Sequence, residues 1–366
     1  MNTLLLEETS CTGDLLPFTA TRSVLDIRMG ILTFREKWAH LLGPDGFRLE
    51  ESPVAAATAS PVTTATAPPV AAALPANILP TRALAARVRE EWDRGPITPA
   101  SIDRLITHGR LIRYPWQIFQ HNAEALIEDF VILTAGRVPM PIPSSVQSIG
   151  QEAIFVEQGA RLSHCLLNAS TGPIYIARDA EIMEGAMIRG PFAACEGSTV
   201  KMGTKIYGAT TLGPGSMAGG EIKNTVFFGH SNKGHDGYLG DAVIGEWCNL
   251  GAGVSASNLK NNAGTVRVYH PASNSYRDAG LKCGLLMGDY SRAAINTSFD
   301  TGTMVGVCCN IFGAGIPPKY VPSFSWGSGR YEWEKAIRDI DNWKKLKGHA
   351  ITDQEILTLK HIFEAS

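Results

Sequence analysis

Small or aliphatic residues recur at every sixth position through Ile176, Ile182, Ile188, Ala194, Val200, Ile206 and Leu212. Neither the 3.6-residue turn of a helix nor the two-residue alternation of a strand produces that period. After short insertions the register returns at Tyr238, Ile244, Leu250 and Ala256, and again at Met287, Ala293, Phe299, Val305 and Ile311. Each six-residue unit supplies a short strand and a turn, and its inward residue is buried only when another coil stacks above or below it. The spacing predicts a hexapeptide solenoid over 141–320, with Tyr238 among its inward positions.

The flanking segments follow other patterns. Residues 1–51 read as the start of an α/β unit: a strand at Thr3–Leu6, then a helical stripe of Ile31, Phe34, Trp38 and Leu41 that ends at Gly43. From 52 to 81 there is no charged residue, and Pro53, Pro61, Pro68, Pro69, Pro75 and Pro80 interrupt a run of Ala, Thr and Val. That composition predicts a disordered linker. The stretch 82–140 is expected to be mainly helical, with one stripe at Leu84, Val88 and Trp92 and another at Trp116, Phe119, Ala123 and Ile127. Residues 321–366 predict a helical cap: Trp333, Ile337, Ile340 and Trp343 share one face, and Thr352 with Glu355 forms a capping box ahead of Ile356, Leu359, Ile362 and Phe363.

Composition narrows the function classes. The 33 Lys and Arg nearly balance 35 Asp and Glu, a formal net charge of −2 that speaks against a nucleic-acid or membrane-surface partner and leaves a small charged substrate open. The start MNTLLLEETS is unlike a signal peptide and no window approaches eighteen apolar residues, so a cytoplasmic location is expected. Seven cysteines, several inside repeat units, read as reduced core thiols. No pair has zinc-ribbon spacing, and no structural metal is expected.

Polar residues crowd into the repeat between 219 and 262: Glu221 and Lys223, then Gly234, His235, Tyr238, Leu239, Gly240 and Asp241, then Asn249, Gly251, Ala252 and Gly253, then Asn258. These four ordered elements resemble the acetyltransferase half of the bifunctional N-acetylglucosamine-1-phosphate uridyltransferase and glucosamine-1-phosphate acetyltransferase family. A variant sugar nucleotidyltransferase branch of that family is similar end to end, through LLPFTATRSVLDIRMGILTFREKW, MEGAMIRGPFAACEG, NTSFDTGTMVG and PSFSWG. The resemblance implies a left-handed parallel β-helix with a truncated N-terminal α/β domain and a short helical C-terminal cap. It further implies a homotrimer with sites between neighbouring solenoids, a sugar-phosphate acceptor and acetyl-CoA as co-substrate.

Acetyl transfer to an amino sugar needs a base for the proton released on attack, and a histidine with its unperturbed pKa of ~6.5 suits that task. His235 is the candidate base, with Tyr238, Lys223 and Asn249 as its catalytic companions and Glu221 as a substrate contact. Gly251, Ala252 and Gly253 are small enough to bring backbone N–H groups to a thioester oxygen. Asn258 and Lys260 complete the expected donor site, and the loop Asn261–Leu281 is expected to be mobile, lying over the cofactor or standing as a plain surface insertion. The enzyme reading requires Lys223, His235, Tyr238 and Asn249 to converge on one accessible cleft. The family's phosphate-binding arginine after Gly190, Pro191, Phe192 and Ala193 is replaced by Ala194 and Cys195; either Arg189, Lys201 or Lys205 stands as its substitute, or the substrate lacks that phosphate. The spacing of His230 and His235 also resembles hexapeptide carbonic anhydrases, but Ala194 sits where their third histidine would be.

In the parent family the N-terminal domain transfers a nucleotidyl group through a glycine-rich loop. Here the matching stretch is Cys11 to Pro17, without the diagnostic glycines. Gly13, Pro17, Arg22 and Arg28 remain as anion-binding candidates, with interface charges as the alternative for the arginines. About 110 residues outside the linker precede the repeats, the size of one small domain. Nucleotidyl transfer, with Mg2+, is therefore expected to be weakened or lost. The alternatives are an active sugar-1-phosphate nucleotidylyltransferase and a non-catalytic trimeric scaffold.

Overall fold

A computed structural model describes residues 3–50 and 72–366. The repeat segment winds into a parallel β-solenoid with three sheet faces. The first face stacks strands from Gln147–Ile149 up to Ser298–Phe299. The second runs from Ile154–Val156 to Tyr320–Val321, and the third from Arg161–Leu162 to Ser325–Trp326. Every expected inward position from Ile176 to Leu212 is at most 2 % exposed.

Tyr238 is the exception to the predicted register. It is half-buried and outward, and Leu239 takes the inward place. The strands Glu221–Gly229 and Tyr238–Glu246 run straight through the corner between the first two faces, so Ile222 to Phe227 and Leu239 to Ile244 are steps of five. Asn224 and Asp241 occupy that tight corner with φ of 48° each, and Asn224 Nδ2 donates to Asp241 Oδ1 at 2.7 Å. Counting back by six from Ile244 therefore oversteps the inward Leu239 by one residue and lands on Tyr238.

The N-terminal unit has a three-stranded parallel sheet with β1 (Leu4–Glu7) between β2 (Phe47–Leu49) and β3 (Leu74–Pro75). Its first helix, α1 (Phe34–Leu42), starts at a Thr33–Glu36 capping box and ends at Gly43, φ +86°. Phe34, Trp38 and Leu41 of the expected stripe are buried on this helix, whereas Ile31, also buried, lies before its start because the Thr33 cap fixes the first turn at Phe34. Then come α2 (Arg82–Arg94), α3 (Pro99–His108), α4 (Gln117–Gln120) and α5 (Asn122–Thr134). The stripe read through Trp116 to Ile127 crosses the break between α4 and α5 at His121, which leaves Ile127 46 % exposed. The expected linker lies outside the described residues over 52–71, but 72–81 are part of the fold. Leu74 pairs with Leu6, and Leu74, Ala76, Ile78 and Leu79 are buried because β1 needs a second neighbour.

This unit sits on the outside of the second face. Outward-pointing Val226, Phe228, Val243, Leu286 and Met304 share one core with Leu4, Leu15, Phe18, Met29 and Trp38. A buried polar network pins the contact. Asp129 accepts the N–H groups of Ile31 and Leu32 at 2.7 and 3.0 Å and pairs with the buried Lys37 ammonium. Asn122 accepts from Gly30 N at 2.6 Å and donates to Ala209 O on the solenoid at 3.0 Å. Gly30, φ +83°, is required there, because a Cβ would lie 2.4 Å from Asp129 Oδ2.

The C-terminal helices α6 (Trp333–Lys345) and α7 (Asp353–Ala365) cover the corner between the second and third faces, where Trp247, Tyr290, Cys308 and Phe324 meet Ile340 and Leu359. The Thr352–Glu355 box forms as expected, and Glu355 also accepts from Tyr290 Oη at 2.7 Å. Beyond α6, Lys347 Nζ donates to Gly215 O, His230 O and Asn232 Oδ1 at 2.8–2.9 Å. All seven cysteines are buried free thiols. No helix of the described residues is long and apolar enough to cross a membrane.

Two outcomes are expected. Asp129→Asn strands the Lys37 ammonium in the core and costs roughly 3–5 kcal/mol, read as a lowered urea midpoint, and the double substitution Asp129→Asn with Lys37→Met, which keeps an acceptor for the Ile31 and Leu32 N–H groups, recovers most of it. His230 stacks on Trp247 at 4.2 Å, facing Glu246, His349, Lys347 and Lys344, and burial pulls its imidazole down to about 4. The unfolded chain takes up that proton near pH ~6.5, so the folded state loses stability as pH falls from there towards 4. His230→Phe, which keeps the stack, should flatten that limb of the Tm–pH curve.

Candidate functional site

Strand register lines up the outward positions of the first face. One column runs Met187, Lys205, Glu221 and Tyr238, and the next contains Tyr207, Lys223 and Gly240. Arg189 shares its strand's outer side with Met187, two residues away. Arg189, Lys205 and Glu221 thereby line one groove of about 750 Å³ with Tyr207, Asn168 and Thr171. Glu221 accepts from Tyr207 Oη at 2.6 Å, and that bond raises the phenol above its ordinary range. Lys223 is half-buried in the neighbouring column. The Tyr238 phenol lies across Gly240, where a Cβ would come within 2.2 Å of its oxygen, and burial pushes it up to about 12.

Higher on the same face, a cavity of about 1020 Å³ is bounded by Tyr238, Lys260, Arg267, Tyr276, Asp300 and Lys319. The segment expected to be a mobile loop is an antiparallel hairpin, Val266–His270 with Ser275–Gly280. It is ordered because its strands alternate: Val266, Val268 and Ala279 enter the N-terminal core while Arg267 and Tyr276 face the cavity. Lys260 Nζ donates to Thr265 O at 2.5 Å at the hairpin's foot.

His235 is exposed at the corner between the third and first faces. It lines a cleft of about 350 Å³ with Lys201, Met202, Asp236, Ala252 and Gly253. Asn249 lies instead on the third face, registered between Asn232 and Arg292. Lys223 and Tyr238 are therefore on one face, His235 on its edge and Asn249 on another face, and the four do not share a cleft within one chain.

Several expected ligand contacts are engaged internally. Gly251 N donates to Ala293 O at 3.0 Å and Gly253 N to Asp236 O at 3.1 Å, so neither N–H is free for a thioester oxygen. Their lack of a side chain serves coil stacking: a Cβ on Gly251 would meet Ile295 N at 2.8 Å and one on Gly253, φ +73°, would meet Asn296 Oδ1 at 2.1 Å. Asn258 donates its amide to Asp241. Arg22 pairs with Asp289 and with Glu246 at 3.0 Å, and Arg28 donates to Phe228 O at 3.1 Å and to Ile31 O. Gly13 and Pro17 abut Ala272 and Gly288. All four nucleotide-binding candidates thus lie where the N-terminal unit meets the solenoid and its hairpin.

His230 and His235 occupy different corners, with His230 stacked on Trp247, so they do not aim at one ion; Ala194 is an inward core residue. One residue escaped the sequence reading. Lys233 is fully buried, although the hexad phase Phe227, Lys233, Leu239 marks its place as inward.

Residues 3–90 match the sugar nucleotidyl transferase family. The chain is 29 % identical over 120 residues to the bifunctional protein GlmU of Methanocaldococcus jannaschii, covering 33 % of this chain and 27 % of that protein. It is 29 % identical over 156 residues to the bifunctional sugar-1-phosphate nucleotidylyltransferase/acetyltransferase of Sulfurisphaera tokodaii, covering 40 % and 36 %. It is 35 % identical over 163 residues to GlmU of Ralstonia nicotianae, covering 39 % and 33 %. The chain thus spans about a third of the length of these relatives. With a match to the sugar nucleotidyl transferase family over residues 3–90 and a hexapeptide solenoid behind it, the chain is similar to bifunctional sugar-1-phosphate nucleotidylyltransferase/acetyltransferases over about a third of their length.

Proposed function

We propose that the chain is a hexapeptide-type acyltransferase that N-acetylates an anionic amino sugar, with nucleotidyl transfer weakened or lost. The observation that carries this reading is the open first face. The N-terminal unit covers the second face and the C-terminal helices cover the adjoining corner, which leaves a surface bearing Arg189, Lys205 and Lys223 with His235 at its edge. Arg189 and Lys205 hold the sugar phosphate, one as a fork and the other as a point charge. Glu221 and Tyr207 meet sugar hydroxyls.

The acceptor amine attacks the acetyl carbonyl of acetyl-CoA, and His235 takes the proton released from nitrogen and returns it to the departing thiolate. Lys260 and Arg267 offer cations for the phosphates of the donor. Because Asn249 and Tyr238 face different ways, a second copy against the open face completes the site, in keeping with a homotrimer. Among the described residues no group of three or more His, Cys, Asp or Glu is placed to hold a metal ion, and no step is assigned to Mg2+. The commitment of Arg22 and Arg28 to the solenoid supports the loss of nucleotidyl transfer. The product would belong to the supply of cell-envelope amino sugars, of the kind that leads to UDP-N-acetylglucosamine.

Incubation with acetyl-CoA and glucosamine-1-phosphate should release free thiol, and His235→Ala should lower kcat by about 10²–10⁴-fold. No release from the wild-type trimer would sink the proposal. Replacing Arg189 and Lys205 together by Ala should raise KM for the sugar phosphate by roughly tenfold or more, with KM for acetyl-CoA held. Product from a nucleoside triphosphate and a sugar phosphate would refute the loss of the first activity.

A further inference from the structure

The inward column of the third face is aliphatic on either side of one residue. Leu162, Ile182, Val200 and Ala218 precede it and Leu250, Ala293 and Ile311 follow it, but Lys233 occupies the middle place with no exposed surface. A buried ammonium is costly unless it is paired or hydrogen-bonded. Among the described residues Lys233 makes no salt bridge. Its Nζ donates instead to the backbone carbonyls of His235 and Asp236, the latter at 2.9 Å.

Those carbonyls belong to the corner that carries the exposed imidazole. The corner has little side-chain support of its own. Gly234 and Gly237 flank it, and Gly219 and Gly220 of the coil below are so close that a Cβ on either would come within 2.9 Å of the His235 backbone. Gly237, φ +119°, leaves no room either, since a Cβ there would lie 2.1 Å from Val254 O. Asp236 O has a second donor in Gly253 N, whereas among the described residues the His235 carbonyl has only Lys233. Ala218, directly registered with Lys233, leaves space for its stem.

We propose that Lys233 is a positioning residue for His235, holding the His235 and Asp236 carbonyls from inside the solenoid and so fixing the corner that presents the imidazole. The role of the imidazole rests on the function proposed above, but the hold on the corner does not. An inward aliphatic residue would seal the core equally well and leave the His235 carbonyl unpaired.

The test uses the full chain with Lys233→Met, which keeps length without donors, and Lys233→Gln, which keeps N–H donors. Two readouts need no activity: hydrogen exchange of the amides over 234–237 and 253, and the pH profile of carbethoxylation of His235 by diethyl pyrocarbonate. Lys233→Met should speed exchange at that corner by about tenfold or more, leave the other corners unchanged and alter the His235 profile, and Lys233→Gln should restore part of the protection. Unchanged corner exchange would overturn the proposal, as would acceleration spread evenly through the solenoid. If Lys233→Met does not fold, Lys233→Gln against wild type decides by the same readouts. In the thiol-release assay Lys233→Met should lower kcat by up to about 100-fold with KM for acetyl-CoA held. Full kcat with a loosened corner overturns the positioning role, and activity retained in His235→Ala overturns the base assignment alone.

Discussion

The second face of the solenoid is apolar on both sides, and the rest of the molecule is arranged around that fact. Its inward residues are covered by neighbouring coils, but Phe155, Tyr175, Val226, Phe228, Val243, Leu286 and Met304 point outward and need a second layer. Each such side chain contributes about 1.5–3 kcal/mol when buried. The N-terminal unit supplies the layer. Its three-stranded sheet is too narrow to enclose Leu15, Phe18 and Met29 alone, so the two parts share one core.

That shared core explains the fate of the N-terminal arginines. Arg22 and Arg28 reach across the boundary to Asp289, Glu246 and the Phe228 carbonyl, which satisfies groups that docking would otherwise strand. A residue committed in this way is not available to a nucleotide. Covering the second face also leaves the first face as the surface where charged side chains stand in register, one coil apart at about 4.8 Å.

The corners set the fine placement of chemistry. Left-handed backbone at His230, Trp247, Tyr290, Cys308 and Phe324 builds the column on which the C-terminal helices rest. On the opposite corner, glycines bring coils too close for side chains, so the stretch bearing His235 depends on backbone hydrogen bonds and on the ammonium beneath it. The small residues at Gly251 and Gly253 serve the same stacking.

By itself the sequence determined the solenoid, because a six-residue aliphatic period has one physical solution: strands that bury one residue per turn against copies of themselves. It determined the helix start at Thr352 as well, since a capping box is local chemistry. It named Arg189, Lys205 and Glu221 as substrate contacts, and the fold brings all three to one groove. The five-residue steps at Phe227 and Ile244 were not legible, since they depend on the corner hydrogen bonds of Asn224 and Asp241, and they turned Tyr238 outward. Only the tertiary structure decided which faces are covered, that Leu74–Pro75 joins a sheet, that the hairpin after Lys260 is ordered, and that His235 and Asn249 lie apart. Those outcomes depend on which surfaces meet, and contacts between distant segments leave no period in the chain.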